Sequence, residues 1–87
     1  MSLQNQHPID VIALFREAAF EVSGRRLEGL TAATAITELA LDSVQILEIV
    51  AFVEERTGVR LSDDYLTGVS TLADLGGLLE RASRRAA

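Results

Sequence analysis

The sequence predicts an all-α fold: a small bundle of three main helices plus one short helix, with a long ordered loop between helices one and two. Three observations carry that prediction. Apolar residues recur at helical spacing in three separate segments. Each segment is bounded by residues that start or stop helices. No stretch alternates with the period of a strand, and no internal repeat appears.

Helix one is expected from about Pro8 to Val22. Pro8 suits a first helical turn, because it lacks a backbone donor and its φ is already fixed. Val11, Ile12, Phe15, Ala18, Ala19 and Val22 then form one face, and Gly24 supplies the stop. From Ser23 to Asp42 the period is lost. A stretch of that length without regular structure points to an ordered functional loop or a missed element. Leu27, Leu30, Ile36 and Leu39 favour a loop pinned onto the core.

Asp42 and Ser43 open the strongest helix. Asp is a good N-cap, Ile46, Ile49, Val50 and Val53 follow at i, i+3, i+4 and i+7, and Gly58 ends the pattern. Ser62-Asp63-Asp64-Tyr65 reads as a cap and one short helical turn, ended by Gly68. Thr71-Leu72-Ala73-Asp74 has the form of a capping box, with Asp in place of the preferred Glu. Leu72, Leu75, Leu78, Leu79 and Ala82 supply the apolar face of the last helix, and Gly76 and Gly77 weaken it unless they permit close packing.

The 87 residues are 48% apolar and 24% charged, which fits one globular domain with one core. Residues 1–87 read as that single domain, with 1–7 and 84–87 expected to fray. The absence of cysteine excludes a disulfide framework, a thiolate metal site and a cysteine nucleophile. Thirteen acidic residues against eight basic ones give a net charge of −5. That sign disfavours nucleic acid and favours partners with basic patches. All eight basic residues are arginine; Arg81, Arg84 and Arg85 crowd the end of the last helix, where they complement its dipole. No apolar run approaches the ~20 residues of a membrane span, so no membrane insertion and a cytoplasmic location are expected.

His7 is the single histidine, and no triad, phosphate-binding glycine loop or metal-ligand spacing accompanies it. No catalytic residue and no metal ligand is assigned. Ser43 is different, because it places a hydroxyl at the start of the best helix. The first backbone N–H groups there lack intrahelical acceptors and the dipole is positive, so a phosphate esterified to Ser43 sits in a favourable field. Taken alone, Asp42-Ser43 still reads as a cap, since Asp and Ser are common capping types.

Leu39-Ala40-Leu41-Asp42-Ser43-Val44 is similar to the Leu-Gly-x-Asp-Ser-Leu attachment motif of the acyl carrier protein family and its aminoacyl and peptidyl carrier relatives. The resemblance continues without a gap through Leu47 to Glu55, then across Val59-Arg60-Leu61, Ser62-Asp63-Asp64 and Ser70 to Leu75. It implies an acyl-carrier-like bundle that is a carrier and not an enzyme. Ser43 would bear a covalent 4′-phosphopantetheine arm transferred from coenzyme A by a separate phosphopantetheinyl transferase. The arm's thiol would hold cargo as a thioester, on a chain that has no thiol of its own. Nothing near Ser43 in sequence serves as a base for it, so its expected role is attachment. Asp42 would both cap the helix and contact the transferase.

The resemblance further implies a partner face of Val44, Gln45, Glu48, Glu54 and Glu55. A cargo pocket would be lined by Val50, Val53, Leu61, Leu66, Val69 and Leu75. Together with Phe15, Leu72 and Leu78 these residues form the expected interior, and the bulk of Leu66 and Leu78 points to short or polar cargo. Expected partners are the transferase, an acyl- or aminoacyl-loading ligase or acyltransferase, and downstream synthases or transferases with basic patches. The carrier is expected to be free-standing and monomeric.

Ala40 stands where the family has Gly, Gln45 where an acid is common, and Arg56 and Arg60 interrupt stretches that are usually acidic. These departures point to a specialised lipid, secondary-metabolite or amino-acid pathway. Two alternatives stay open: an aminoacyl or peptidyl carrier, and an unmodified helical interaction module.

Overall fold

The structure, a computed structural model, describes residues 10–61 and 67–86. Within them lie α1 (Val11–Ser23), a short 3₁₀ turn (Ile36–Leu39), α2 (Ser43–Thr57) and α3 (Leu72–Ala86). The all-α bundle expected from periodicity is present. The short helix expected at residues 62–65 falls outside the described residues.

α1 starts later than the sequence reading placed it. Asp10 takes a non-helical conformation and its carboxylate accepts the Ala13 N–H at 3.1 Å, so the helix opens at Val11. Pro8 lies outside the described residues. The stop is where it was expected: Gly24 is left-handed at φ 76° and its N–H donates to the Phe20 carbonyl at 2.8 Å. α3 runs on to Ala86.

Phe15, Ala18 and Ala19 of α1 pack with Ile49 and Val53 of α2 and with Leu72, Leu75, Leu78, Leu79 and Ala82 of α3. Leu14 and Val59 join this core. Gly76 explains how α3 comes so near α1. A Cβ there would lie 3.1 Å from Val11 Cγ1, so the glycine's helix penalty of about 1 kcal/mol is offset by close approach.

The loop between α1 and α2 closes the start of α3. Leu27 and Leu30 are buried, and Ile36 and Leu39 pack against the core. This seats the loop's carbonyls over α3, where the Thr34 oxygen accepts from Leu72 N–H at 3.1 Å and the Ala32 oxygen from Ala73 N–H at 2.9 Å. Ile36 N–H donates to the Ser70 carbonyl at 2.9 Å, beside an isolated bridge between Ala35 and Thr71. The expected capping box is also made. Asp74 N–H donates to Thr71 Oγ1 at 3.2 Å, and Asp74 Oδ2 accepts from the backbones of Ser70 and Thr71 at 3.0 and 3.1 Å. Those backbone donors hold the Asp74 carboxyl below its ordinary range. The α3 N-terminus is thus satisfied, because its first donors all have acceptors.

Arg56, which interrupts an acidic stretch in sequence, ties α2 to α1. Its Nη1 and Nη2 donate to the two carboxylate oxygens of Glu17 at 2.8 and 2.7 Å, and its guanidinium lies 4.9 Å from the Phe52 ring centroid. The pairing lowers the Glu17 pKa and raises that of Arg56. Both side chains remain about half exposed, so the pair orients the helices more than it stabilises them.

Ala40 is the one non-glycine described residue with positive φ, at 58°. Left-handed backbone costs an L-residue about 1–2 kcal/mol, while glycine loses about 0.4–1 kcal/mol through greater unfolded-state freedom. Ala40→Gly is therefore expected to stabilise the domain by about 0.5–1 kcal/mol and to raise Tm by about 2–8 °C in a thermal melt.

Candidate functional site

The start of α2 is built by Asp42 and Gln45. Asp42 Oδ1 accepts the Gln45 N–H at 2.8 Å, and Gln45 Oε1 accepts the Asp42 N–H at 3.1 Å. This reciprocal box, followed by the Ile46 N–H donating to the Asp42 carbonyl at 2.9 Å, fixes the first turn. Between the two capping residues, Ser43 and Val44 are exposed, and neither of their backbone N–H groups has an acceptor among the described residues. The starts of α2 and α3 therefore differ: α3 is closed by the loop, whereas α2 presents two donors, its positive dipole end and a hydroxyl to solvent.

This arrangement fits a phosphoester on Ser43. Ser43 and Val44 are both exposed, which leaves the hydroxyl accessible and the neighbouring N–H groups available to phosphate oxygens. The Asp42 carboxylate opposes that charge in part. Among the described residues no group of three or more His, Cys, Asp or Glu is arranged to hold a metal ion.

Beside Ser43 lies an apolar patch. Val44 is 62% exposed and Leu47 58%, and the two lie one helical turn apart on the same face. Glu48 and Glu55 are exposed further along α2. The other two sequence candidates for a partner face have local work. Gln45 is half-buried and completes the capping box. Glu54 is half-buried, and its Oε2 accepts the Leu61 N–H at 2.6 Å, which anchors the chain leaving α2. Leu47 was not singled out by sequence reasoning. The available signal was its position off the Ile46, Ile49, Val50, Val53 stripe, where a leucine has no core to fill.

Beneath α2 is an apolar cavity of about 100 Å³, lined by Phe15, Ile36, Ile46, Ile49, Val50, Val53, Leu61, Val69 and Leu75. Five of the six expected pocket residues line it, and the sixth, Leu66, lies outside the described residues. Leu78, expected to restrict the space, is buried in the core and does not line it. Ile46 is the lining residue nearest in sequence to Ser43, three positions on.

Three comparisons bear on this geometry. A family described as the phosphopantetheine attachment site matches residues 13–79. The crystal structure of an acyl carrier protein from Thermotoga maritima superposes with a TM-score of 0.78 and 26% identity, covering 88% of this chain and 91% of that one. The solution structure of the acetyl actinorhodin acyl carrier protein from Streptomyces coelicolor gives a TM-score of 0.66 and 30% identity, covering 93% and 94%. No curated protein matches the chain. No described helix is long and apolar enough to cross a membrane.

Proposed function

The chain belongs to the acyl carrier protein family, as a carrier and not an enzyme with 4′-phosphopantetheine as its cofactor, and on that premise we propose that Ser43 is the attachment residue. The observation that carries the proposal is the open first turn of α2, where an exposed hydroxyl stands next to two unsatisfied backbone donors. When bound, the group supplies a thiol that holds acyl cargo as a thioester. The protein's residues position and present it. Asp42 and Gln45 hold the turn rigid, and the Ser43 and Val44 N–H groups balance phosphate charge. Val44 and Leu47, with Glu48 beside them and Glu55 about two turns further along α2, offer a small apolar patch and acidic groups to partner enzymes with basic surfaces. Incubation with coenzyme A and a broad-specificity phosphopantetheinyl transferase should add one phosphopantetheine, mapped to Ser43 by peptide mass spectrometry. An unmodified wild-type chain would overturn the assignment.

The cavity supports short acyl cargo. An engineered 150 Å³ apolar cavity takes up benzene, and a water-sized group occupies about 30 Å³, so the volume here holds about three or four heavy atoms. The Streptomyces coelicolor neighbour was solved as its acetyl form, in agreement with cargo of that size. Together with arginines on the α2 side of the molecule, this favours a specialised pathway. A butyryl-loaded carrier should shift the NMR signals of Val50, Val53, Val69 and Leu75, whereas the distal half of a palmitoyl chain should stay mobile. Full shielding of palmitoyl would refute the short-cargo reading.

A further inference from the structure

We infer that Arg25 is a positioning residue for the modification of Ser43: its guanidinium holds the Ala40 carbonyl and so keeps the segment entering α2 in the conformation that presents the hydroxyl. The inference rests on Ser43 being the attachment residue. Arg25 Nη1 donates to the Ala40 oxygen at 3.1 Å, across 15 positions of sequence. The arginine is itself anchored. Its backbone N–H donates to Ser23 Oγ at 3.2 Å, and that hydroxyl donates to the Ala19 carbonyl at 2.7 Å within α1. A line of hydrogen bonds thus joins the end of α1 to the segment just before Asp42.

What is held there resists being held. Ala40 sits at φ 58°, which its Cβ disfavours, and it lies between Leu39 and Leu41, both packed against the core. Two residues later Asp42 caps α2, and Ser43 follows. If Ala40 relaxes to right-handed backbone, the chain direction into the cap changes with it. Arg26, the next residue, is committed elsewhere: its guanidinium lies over the Phe20 ring at 5.4 Å. Arg25 therefore supplies a contact that favours the strained form.

A released segment spends part of its time in conformers the transferase does not accept, and apparent affinity falls by the competent fraction. Arg25→Ala is expected to raise the carrier's KM for the transferase by about three- to tenfold, the worth of one such hydrogen bond, with kcat unchanged. The decisive comparison is the same substitution in an Ala40→Gly background. Glycine adopts the left-handed form freely, so the loss should shrink to less than about twofold. A merely structural role would lower Tm and leave KM alone. Three results would overturn the inference: an unchanged KM in Arg25→Ala, a changed kcat, or an undiminished loss in the glycine background, which would mean that Arg25 touches the transferase directly. Failure of the wild type to be modified at all would instead overturn the Ser43 assignment beneath it.

Discussion

Ser43→Ala is expected to abolish the mass gain on incubation with coenzyme A and transferase, with the fold unchanged. The loss is complete because the phosphoester needs that oxygen, and alanine offers no nucleophile in its place. The fold survives because the cap does not depend on Ser43. Asp42 and Gln45 close the turn between them, and the Ser43 hydroxyl bonds to nothing among the described residues. Alanine is also the best helix former, so stability should stay within about 0.5 kcal/mol. Intact mass and a thermal melt on the same samples check both halves. Modification persisting in Ser43→Ala would move the attachment site to another hydroxyl. An unmodified wild type beside an equally functional Ser43→Ala would favour the unmodified interaction module.

Leu79→Ala should have the largest effect on stability. Leu79 is fully buried in α3, in the core cluster that also holds Ala18 and Ala19 of α1. Truncating a buried leucine costs about 2–5 kcal/mol through lost transfer energy and the cavity left behind. Small domains have only about 5–15 kcal/mol in total. A fall in Tm of at least ~10 °C follows, read by circular dichroism. A smaller shift would mean that α3 collapses onto the space, which the tight approach of Gly76 to Val11 argues against.

Arg25 and Gln45 show where reading along the chain succeeds and where it stops. Gln45 bonds to Asp42 three residues away, so the capping box is visible in the sequence as Asp-x-x-Gln. The Thr71–Asp74 box was read correctly, because both partners lie within one turn. Arg25 to Ala40 spans 15 positions and Arg56 to Glu17 spans 39. Pairs so far apart have no characteristic spacing, and each residue alone looks like a solvated charge. Likewise Glu54 resembled one more acid on an acidic helix until the chain folded back to place Leu61 N–H on it.

From the sequence alone came the helix boundaries at Asp42 and Gly58, the apolar stripe of α2, the family and the serine proposed for attachment. Those depend on contacts within three or four residues, whose geometry recurs in every helix. Tertiary structure decided that the start of α3 is closed while that of α2 stays open. The loop between α1 and α2 spends its carbonyls on α3, and among the described residues α2 has no such cover, so its dipole end and hydroxyl face solvent. It also decided the size of the cavity and the strain at Ala40, because both depend on how closely segments distant in sequence are pressed together.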